Sequence, residues 1–144
     1  MVYLCNVERI LCLDYGKVRT GIAVTDPLKI TVSPLETVLT HDLKFFLDDY
    51  FKHEKVGTIV IGYPIKLDGT KSATTLMVDE FIRLLDKWYP SKKVDLIDER
   101  LSSIEANKVL IQSGVKKSKR KEKGLIDKIS AVILLQSYLE RNKK

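Results

Sequence analysis

Three short apolar segments near the start of the chain predict three strands. Residues 10–13 (ILCL) are continuously apolar up to Asp14, a pattern typical of a strand that is buried on both faces at the centre of a sheet. Residues 21–24 predict a returning strand, and residues 30–38 predict a third one. Pro34 favours an edge strand or a bulge for this third segment, because proline cannot donate a ladder hydrogen bond. The chain therefore opens with an antiparallel meander.

After the meander, the hydrophobic pattern alternates between helical spacing and short β-branched runs. We predict two further strands, at residues 56–61 and 94–97, and four helices, at residues 41–54, 73–89, 102–113 and 125–139. This order predicts an α/β fold, in which a mixed five-stranded sheet is flanked by helices in three layers. The length of 144 residues suits one domain that spans residues 1–144.

Several classes of protein are excluded by composition. No segment approaches the roughly 18 apolar residues that a membrane-spanning helix needs, and the first residues do not resemble a signal peptide. Cys5 and Cys12 fit neither a zinc site nor a disulfide framework. We therefore expect a cytoplasmic protein without a membrane partner.

The positive charge is concentrated in one segment. The chain carries +6, and residues 116–123 (KKSKRKEK) contribute +5 of it from six bases and one acid. The bases are Lys116, Lys117, Lys119, Arg120, Lys121 and Lys123. Such a segment is either a solvated loop or a nucleic-acid contact, and its place just before Asp127 favours the contact. Because it has no aromatic residue to stack on a base, we expect it to bind the phosphate backbone without sequence specificity.

Acidic residues follow two of the predicted strands, where functional groups of α/β proteins gather. Asp14 follows the first strand, and Asp98 and Glu99 follow the fifth. Asp127 lies in the apolar last helix, where a carboxylate needs a partner or a metal. Each acid alone could be a turn residue or a helix cap. Together they could form an oxygen site for Mg²⁺ or Mn²⁺, which would activate water for phosphodiester hydrolysis.

Several short motifs occur in an order that resembles one known family. They are LDYG at residues 13–16, RTGIA at 19–23, GYP at 62–64, DGT at 68–70, DERLS at 98–102, and KG at 123–124 followed by Asp127 and Ala131. In this order they resemble the YqgF/RuvX family, whose members are described as Holliday junction resolvases and pre-16S rRNA nucleases. The resemblance covers residues 10 to 140. It implies a ribonuclease H-like fold and a metal-dependent, cytoplasmic nuclease.

The resemblance also implies the metal ligands. Asp14, Glu99 and Asp127 would hold Mg²⁺ or Mn²⁺ and so form the catalytic site. Asp98 is the alternative to Glu99, and if Asp98 shares a face with the core residue Leu96, Glu99 points to the other side. Two further residues, Arg19 and Arg100, would contact phosphates, unless they form surface ion pairs with nearby acids.

A substrate groove is implied by the glycine-containing loops. Gly16 could let a nucleic-acid backbone approach closely, although a purely structural turn explains it equally well. The loop after the fourth strand would shape the groove through Gly62, Asp68, Gly69 and Thr70. Either Thr70 or Ser72 would cap the following helix near a phosphate.

Three functions compete as explanations of these motifs. The first is a metal-dependent nuclease that acts on structured RNA or DNA junctions, which accounts for the three acids together. It would hydrolyse phosphodiester bonds at the 5′ end of pre-16S rRNA, in Holliday junctions, or in both. A nucleic-acid-binding module in RNA processing or transcription with little catalysis is the alternative. A phosphate-transfer enzyme of the actin-like type is excluded by length, because such proteins close two domains over the nucleotide. We expect a monomer or a weak homodimer.

Overall fold

The computed structural model describes residues 7–64, 69–98 and 123–142, and within the last range it describes side chains from Ile129 onward. A short 3-10 turn at Thr40–Asp42 precedes the first helix. The strands are β1 (Arg9–Asp14), β2 (Arg19–Thr25), β3 (Val32–Leu39), β4 (Val56–Tyr63) and β5 (Lys93–Asp98). The helices are α1 (Leu43–His53), α2 (Ala73–Trp88) and α3 (Lys123–Arg141).

The strands form one mixed sheet in the order β3-β2-β1-β4-β5. β1, β2 and β3 pair antiparallel, whereas β1, β4 and β5 pair parallel. β1 lies at the centre, as its uninterrupted apolar run predicted, and its residues 10–13 are buried. The predicted five-stranded mixed sheet is therefore confirmed.

β3 is the edge strand that Pro34 predicted. A register shift in the β2–β3 pairing falls between Ile22 and Ala23, and Pro34 lies beside it. The strand begins at Val32 and not at residue 30, because the backbone amides of Ile30 and Thr31 each donate a hydrogen bond of 2.7 Å to one carboxylate oxygen of Asp26. Ile30 and Thr31 therefore belong to this turn, although the sequence pattern assigned them to the third strand.

The sheet separates two apolar layers. On one face α1 and α2 pack over a cluster that contains Leu11, Leu13, Ile22, Val24, Leu43, Leu47, Ile59, Ile61, Val78, Phe81 and Leu85. On the other face α3 packs over a cluster that contains Ile10, Cys12, Ala23, Val60, Ile97, Ala131, Leu134, Leu135 and Tyr138. Successive side chains of a strand point to opposite faces, so each strand contributes to both clusters. This gives the predicted three layers.

The helices lie where the apolar spacing predicted, with shifts at their ends. α1 is shorter than the predicted 41–54 because its first residues form the 3-10 turn, and α3 is longer than the predicted 125–139. The predicted helix at 102–113 lies outside the described residues. Over the part of the chain that is described, none of the helices combines the length and the apolar composition that a membrane crossing requires.

Candidate active site

The carboxyl ends of the three parallel strands meet at one edge of the sheet. β1 ends at Asp14, β4 at Tyr63 and β5 at Asp98. In the β1–β4 register Leu13 pairs with Ile61, so Asp14 lies beside the last residues of β4 at the centre of this edge. Its side chain is half-buried. The central strand thus presents a carboxylate where α/β proteins place functional groups.

Asp14 and Asp98 lie on opposite faces of the sheet. Ile10 and Cys12 belong to the cluster under α3, and strand alternation places Asp14 on the same face. Asp98 pairs with Tyr63, which packs against the cluster under α1 and α2 together with Leu96. Asp98 is therefore separated from Asp14 by the sheet, and it shares a face with Leu96 as the sequence argument supposed.

The hairpin between β1 and β2 brings Arg19 next to this edge. Gly16 lies opposite Arg19, and a Cβ atom on Gly16 would overlap the carbonyl oxygen of Arg19. The glycine is therefore required by the close approach of two backbone segments. Arg19 alternates with Ala23, so it lies on the same face as Asp14, and its Nε is buried. A guanidinium at this place can bind a phosphate near Asp14.

Two threonines that the sequence analysis did not single out hold this hairpin. The Thr40 hydroxyl donates a hydrogen bond of 2.6 Å to the carbonyl oxygen of Gly16, and the Thr40 amide donates one of 2.8 Å to the carbonyl oxygen of Val18. The hydroxyl of Thr20 lies 3.0 Å from that of Thr40. Because Thr40 has a single hydroxyl hydrogen, Thr20 is the donor between them. The sequence feature that could have indicated this role is the position of Thr20, a polar residue directly before the apolar run at residues 21–24.

Asp79 joins the two ends of the loop between β4 and α2. The Tyr63 hydroxyl donates a hydrogen bond of 2.7 Å to Asp79 Oδ1, and Lys71 Nζ lies 3.1 Å from Asp79 Oδ2. The hydrogen bonds from Tyr63 and then from Lys71 lower the pKa of the Asp79 carboxyl. The hydrogen bonds that the Lys71 ammonium makes with Asp79 and then with Tyr63 raise the pKa of this ammonium. Sequence reasoning did not assign these residues, because nothing local links Tyr63 to Asp79.

Ser72, and not Thr70, caps α2. The Ser72 hydroxyl accepts a hydrogen bond of 3.2 Å from the Thr75 amide, and the Thr75 hydroxyl accepts one of 3.0 Å from the Ser72 amide. Thr75 also contacts the carbonyl oxygen of Pro64, which ties the loop to the helix. Gly69 has a φ of 87°, which suits glycine, and it is exposed together with Thr70.

A cleft of about 300 Å³ separates the β1–β2 hairpin from the start of α2. Gly16 and Lys17 line one side, and Ala73, Thr74 and Met77 line the other. Of the predicted groove residues, Gly16 therefore lines a cavity. In contrast, Gly62 is buried within β4, where it pairs with Ile97.

The side chains of the remaining predicted site residues lie outside the described ranges. Asp127 and Lys123 belong to α3, but their side chains are outside the description. Across the side chains of the described ranges, no group of three or more His, Cys, Asp or Glu residues could hold a metal. The other predicted site residues lie wholly outside the described ranges, and they are Asp68, Glu99, Arg100, Lys116, Lys117, Lys119, Arg120 and Lys121.

A mixed sheet of this order, with an acid ending its central strand, defines a ribonuclease H-like α/β protein. Residues 8–141 match the family model for RuvX, described as Holliday junction resolvase. The chain belongs to this family.

Curated relatives cover almost the whole chain. A protein of Christiangramia forsetii is 47% identical over 133 residues, which are 92% of this chain and 98% of the relative. A protein of Flavobacterium johnsoniae is 45% identical over 92% of this chain and 96% of its own length. A protein of Bacteroides fragilis is 42% identical over 93% of this chain and 97% of its own length. All three carry the name "Putative pre-16S rRNA nuclease".

Proposed function

We propose that this protein is a metal-dependent nuclease that hydrolyses phosphodiester bonds in structured nucleic acid, at the 5′ end of pre-16S rRNA, in Holliday junctions, or in both. The observation that carries the proposal is the position of Asp14 at the carboxyl edge of the central strand, on the face that α3 covers. The names of the family and of its relatives favour the same reaction. The protein would act in the cytoplasm as a monomer or a weak homodimer.

The proposed metal ligands are Asp14, Glu99 and Asp127, and the proposed ion is Mg²⁺ or Mn²⁺. Carboxylate oxygens are the ligands that these ions prefer, and the half-buried carboxylate of Asp14 at a strand end fits that role. Bound there, the ion would activate a water and stabilise the leaving oxygen. The protein's own part is to hold three carboxylates on one face of the sheet and to orient the phosphate.

The direction of α3 supports the inclusion of Asp127. The end of α3 lies at the beginning of the strands, where Leu139 lines a groove with Ile10 and Lys93. Traced backward, the helix from Leu139 to Asp127 rises about 18 Å. The strand from Ile10 to Asp14 rises about 13 Å. The helix is therefore long enough for the backbone of Asp127 to reach the edge that carries Asp14.

The faces of the sheet favour Glu99 over Asp98 as the second ligand. Asp98 lies on the face opposite to Asp14, so it would have to reach around the end of β5 to share an ion with Asp14. A residue next to Asp98 in sequence has the opposite phase in an extended chain. Glu99 is therefore the acid that we assign to the site.

Basic residues would bind the substrate on both sides of the acids. Arg19 lies on the face of Asp14, and Lys17 lines the cleft beside Gly16. Arg100 and the basic segment at residues 116–123 would add phosphate contacts that carry no base information. The nucleic acid would then lie across the carboxyl edge of the sheet.

A direct assay tests this function. The purified protein is incubated with a precursor RNA spanning the 5′ end of 16S rRNA, with a four-way DNA junction and with a linear duplex. Each substrate is tested with Mg²⁺, with Mn²⁺ and with a chelator. Metal-dependent cleavage of the RNA or the junction supports the proposal and names the substrate. Binding without cleavage under every condition would instead support a nucleic-acid-binding module.

A further inference from the structure

A groove of about 660 Å³ lies between β3 and α1, on the face of the sheet opposite to Asp14. Three carboxylates line it, those of Glu36, Asp42 and Asp49. Two apolar side chains are open to solvent there: Phe45 is 81% exposed and Leu39 is 45% exposed. We call this surface the acidic groove. Exposed apolar patches that are rimmed by polar residues are typical of interaction sites.

The helix holds the aromatic side chain in a defined place. Leu43 and Leu47 are buried against the sheet, so α1 cannot rotate without losing its core contacts. Asp42, Phe45 and Asp49 follow one another at spacings of three and four residues and therefore share one side of the helix. Phe45 thus projects between two carboxylates from a backbone that core contacts hold in place. Because this backbone has little conformational freedom left to lose, the entropic cost of binding a partner is smaller.

The charges of the groove exclude nucleic acid as its occupant. Its lining has no lysine or arginine within the described part of the chain, although the protein carries +6. Lys44, the nearest lysine in sequence, pairs with Asp48 at 2.9 Å and lies over the ring of Trp88. Histidine side chains lie beside two of the carboxylates: His41 lies 3.4 Å from Asp42, and His53 lies 4.0 Å from Asp49. A phosphate backbone would be repelled here.

We propose that the acidic groove docks a segment of another protein in which lysine or arginine side chains flank one large apolar side chain. The apolar side chain would pack on Phe45 and Leu39, and the cations would pair with the three carboxylates. Aromatic anchors surrounded by a polar rim contribute most of the binding energy in such interfaces, and complementary charge selects the partner. β3 is the edge strand of the sheet, and its residues 36–39 line the groove.

The test uses two synthetic peptides and the full chain. Both peptides carry two arginines on each side of a central residue, which is tryptophan in one and glycine in the other. Binding is measured by fluorescence anisotropy, with a label on each peptide. We expect the wild-type protein to bind the tryptophan peptide about tenfold more tightly than the glycine peptide, which corresponds to about 1.4 kcal/mol.

Variants of the groove distinguish peptide binding at this site from nonspecific attraction of the basic peptides to acidic side chains. Phe45→Ser should remove the preference for tryptophan, and Asp42→Asn combined with Asp49→Asn should weaken both peptides. The matched controls are Leu28→Ser, at another exposed apolar side chain, and Glu80→Gln combined with Asp86→Asn, at exposed acids of α2. These controls should bind as the wild type does. All variants should keep the wild-type nuclease activity, since none of them belongs to the proposed active site.

Three results would overturn the proposal. The first is a wild-type protein that binds both peptides equally or neither. The second is a Phe45→Ser variant that keeps the preference for tryptophan. The third is a wild-type dimer in sedimentation that Phe45→Ser dissociates, because the groove would then belong to a second copy of the chain.

Discussion

Asp14 and Asp98 end two strands at the same edge of the sheet, but they point to opposite faces. Asp14 continues the alternation of Ile10 and Cys12 beneath α3, whereas Asp98 pairs with Tyr63 on the side of α1 and α2. Two acids that look equivalent in the sequence are therefore separated by the thickness of the sheet. This relationship makes them a matched pair for mutation.

Asp14→Asn should abolish cleavage and leave folding and nucleic-acid binding largely intact. The amide keeps the shape of the side chain but removes the negative charge that a hard cation needs. Loss of a group that merely supports a metal ligand lowers activity up to about 100-fold. We therefore expect a larger loss for Asp14→Asn, measured by cleavage rate at saturating metal. Wild-type turnover in a folded variant would show that Asp14 is not a ligand.

Glu99→Gln should be more damaging than Asp98→Asn. Both changes remove one negative charge at neighbouring positions, so their effects on general electrostatics are matched. Only the acid that shares the face of Asp14 should affect the metal requirement. Titration of the cleavage rate with Mn²⁺ compares the two variants, and the reverse order of effects would make Asp98 the ligand.

Removal of the basic segment should weaken binding without changing sequence preference. Replacing Lys116, Lys117, Lys119 and Arg120 by Gln removes up to four phosphate contacts. The slope of log affinity against log salt should then fall by about 3, since each contact contributes roughly 0.7 to 0.9. Titrations of a junction and a structured RNA at several salt concentrations measure this slope.

A charge-matched control is available elsewhere on the surface. Replacing Lys52, Arg83, Lys87 and Lys93 by Gln removes the same total charge from exposed positions. This control should lower affinity slightly and leave the slope nearly unchanged. Equal slopes in both variants would mean that residues 116–123 form a solvated loop without phosphate contacts.

Thr40→Val should lower both the activity and the stability of the protein, whereas Thr40→Ser should keep both close to the wild-type values. Valine keeps the branched shape but leaves the carbonyl of Gly16 and the hydroxyl of Thr20 without their hydrogen bonds to Thr40. The free energy of unfolding should fall by about 1–3 kcal/mol. Because the hairpin connects Asp14 to Arg19, the cleavage rate should fall by up to about 100-fold, as it does when reacting groups are misplaced by about 1 Å. Equal rates for the Val and Ser variants would contradict this role.

The stabilisation from Asp79 should disappear at low pH. Its pKa is held below the ordinary 3.8 by the hydrogen bonds from Tyr63 and Lys71, so the folded state favours the ionised form. The contribution is therefore complete above the ordinary pKa and is lost as the pH falls through the lower pKa of the folded state. Denaturant unfolding of the wild type and of Asp79→Asn should differ at pH 7 and converge below pH 3.8. A constant difference between them across this range would contradict the interaction, and Asp86→Asn is the control on the same helix.

Local patterns determined much of the architecture. The apolar run at residues 10–13 identified the central strand, Pro34 identified the edge strand, and helical spacing located the helices. These features were predictable because steric and hydrophobic periodicities act between residues that are close in sequence. The ordered motifs also indicated the family, which the match to the family model confirms. Ser72 was one of two proposed caps, and the geometry of the loop decided between them.

Tertiary structure alone decided the geometry around Asp14. The opposite faces of Asp14 and Asp98 follow from the register of β1, β4 and β5, which the strand pattern left open. The bond from Thr40 to Gly16 and the exposure of Phe45 beside β3 depend on contacts between segments distant in sequence. Such contacts arise from register and packing, so neither composition nor periodicity contains them.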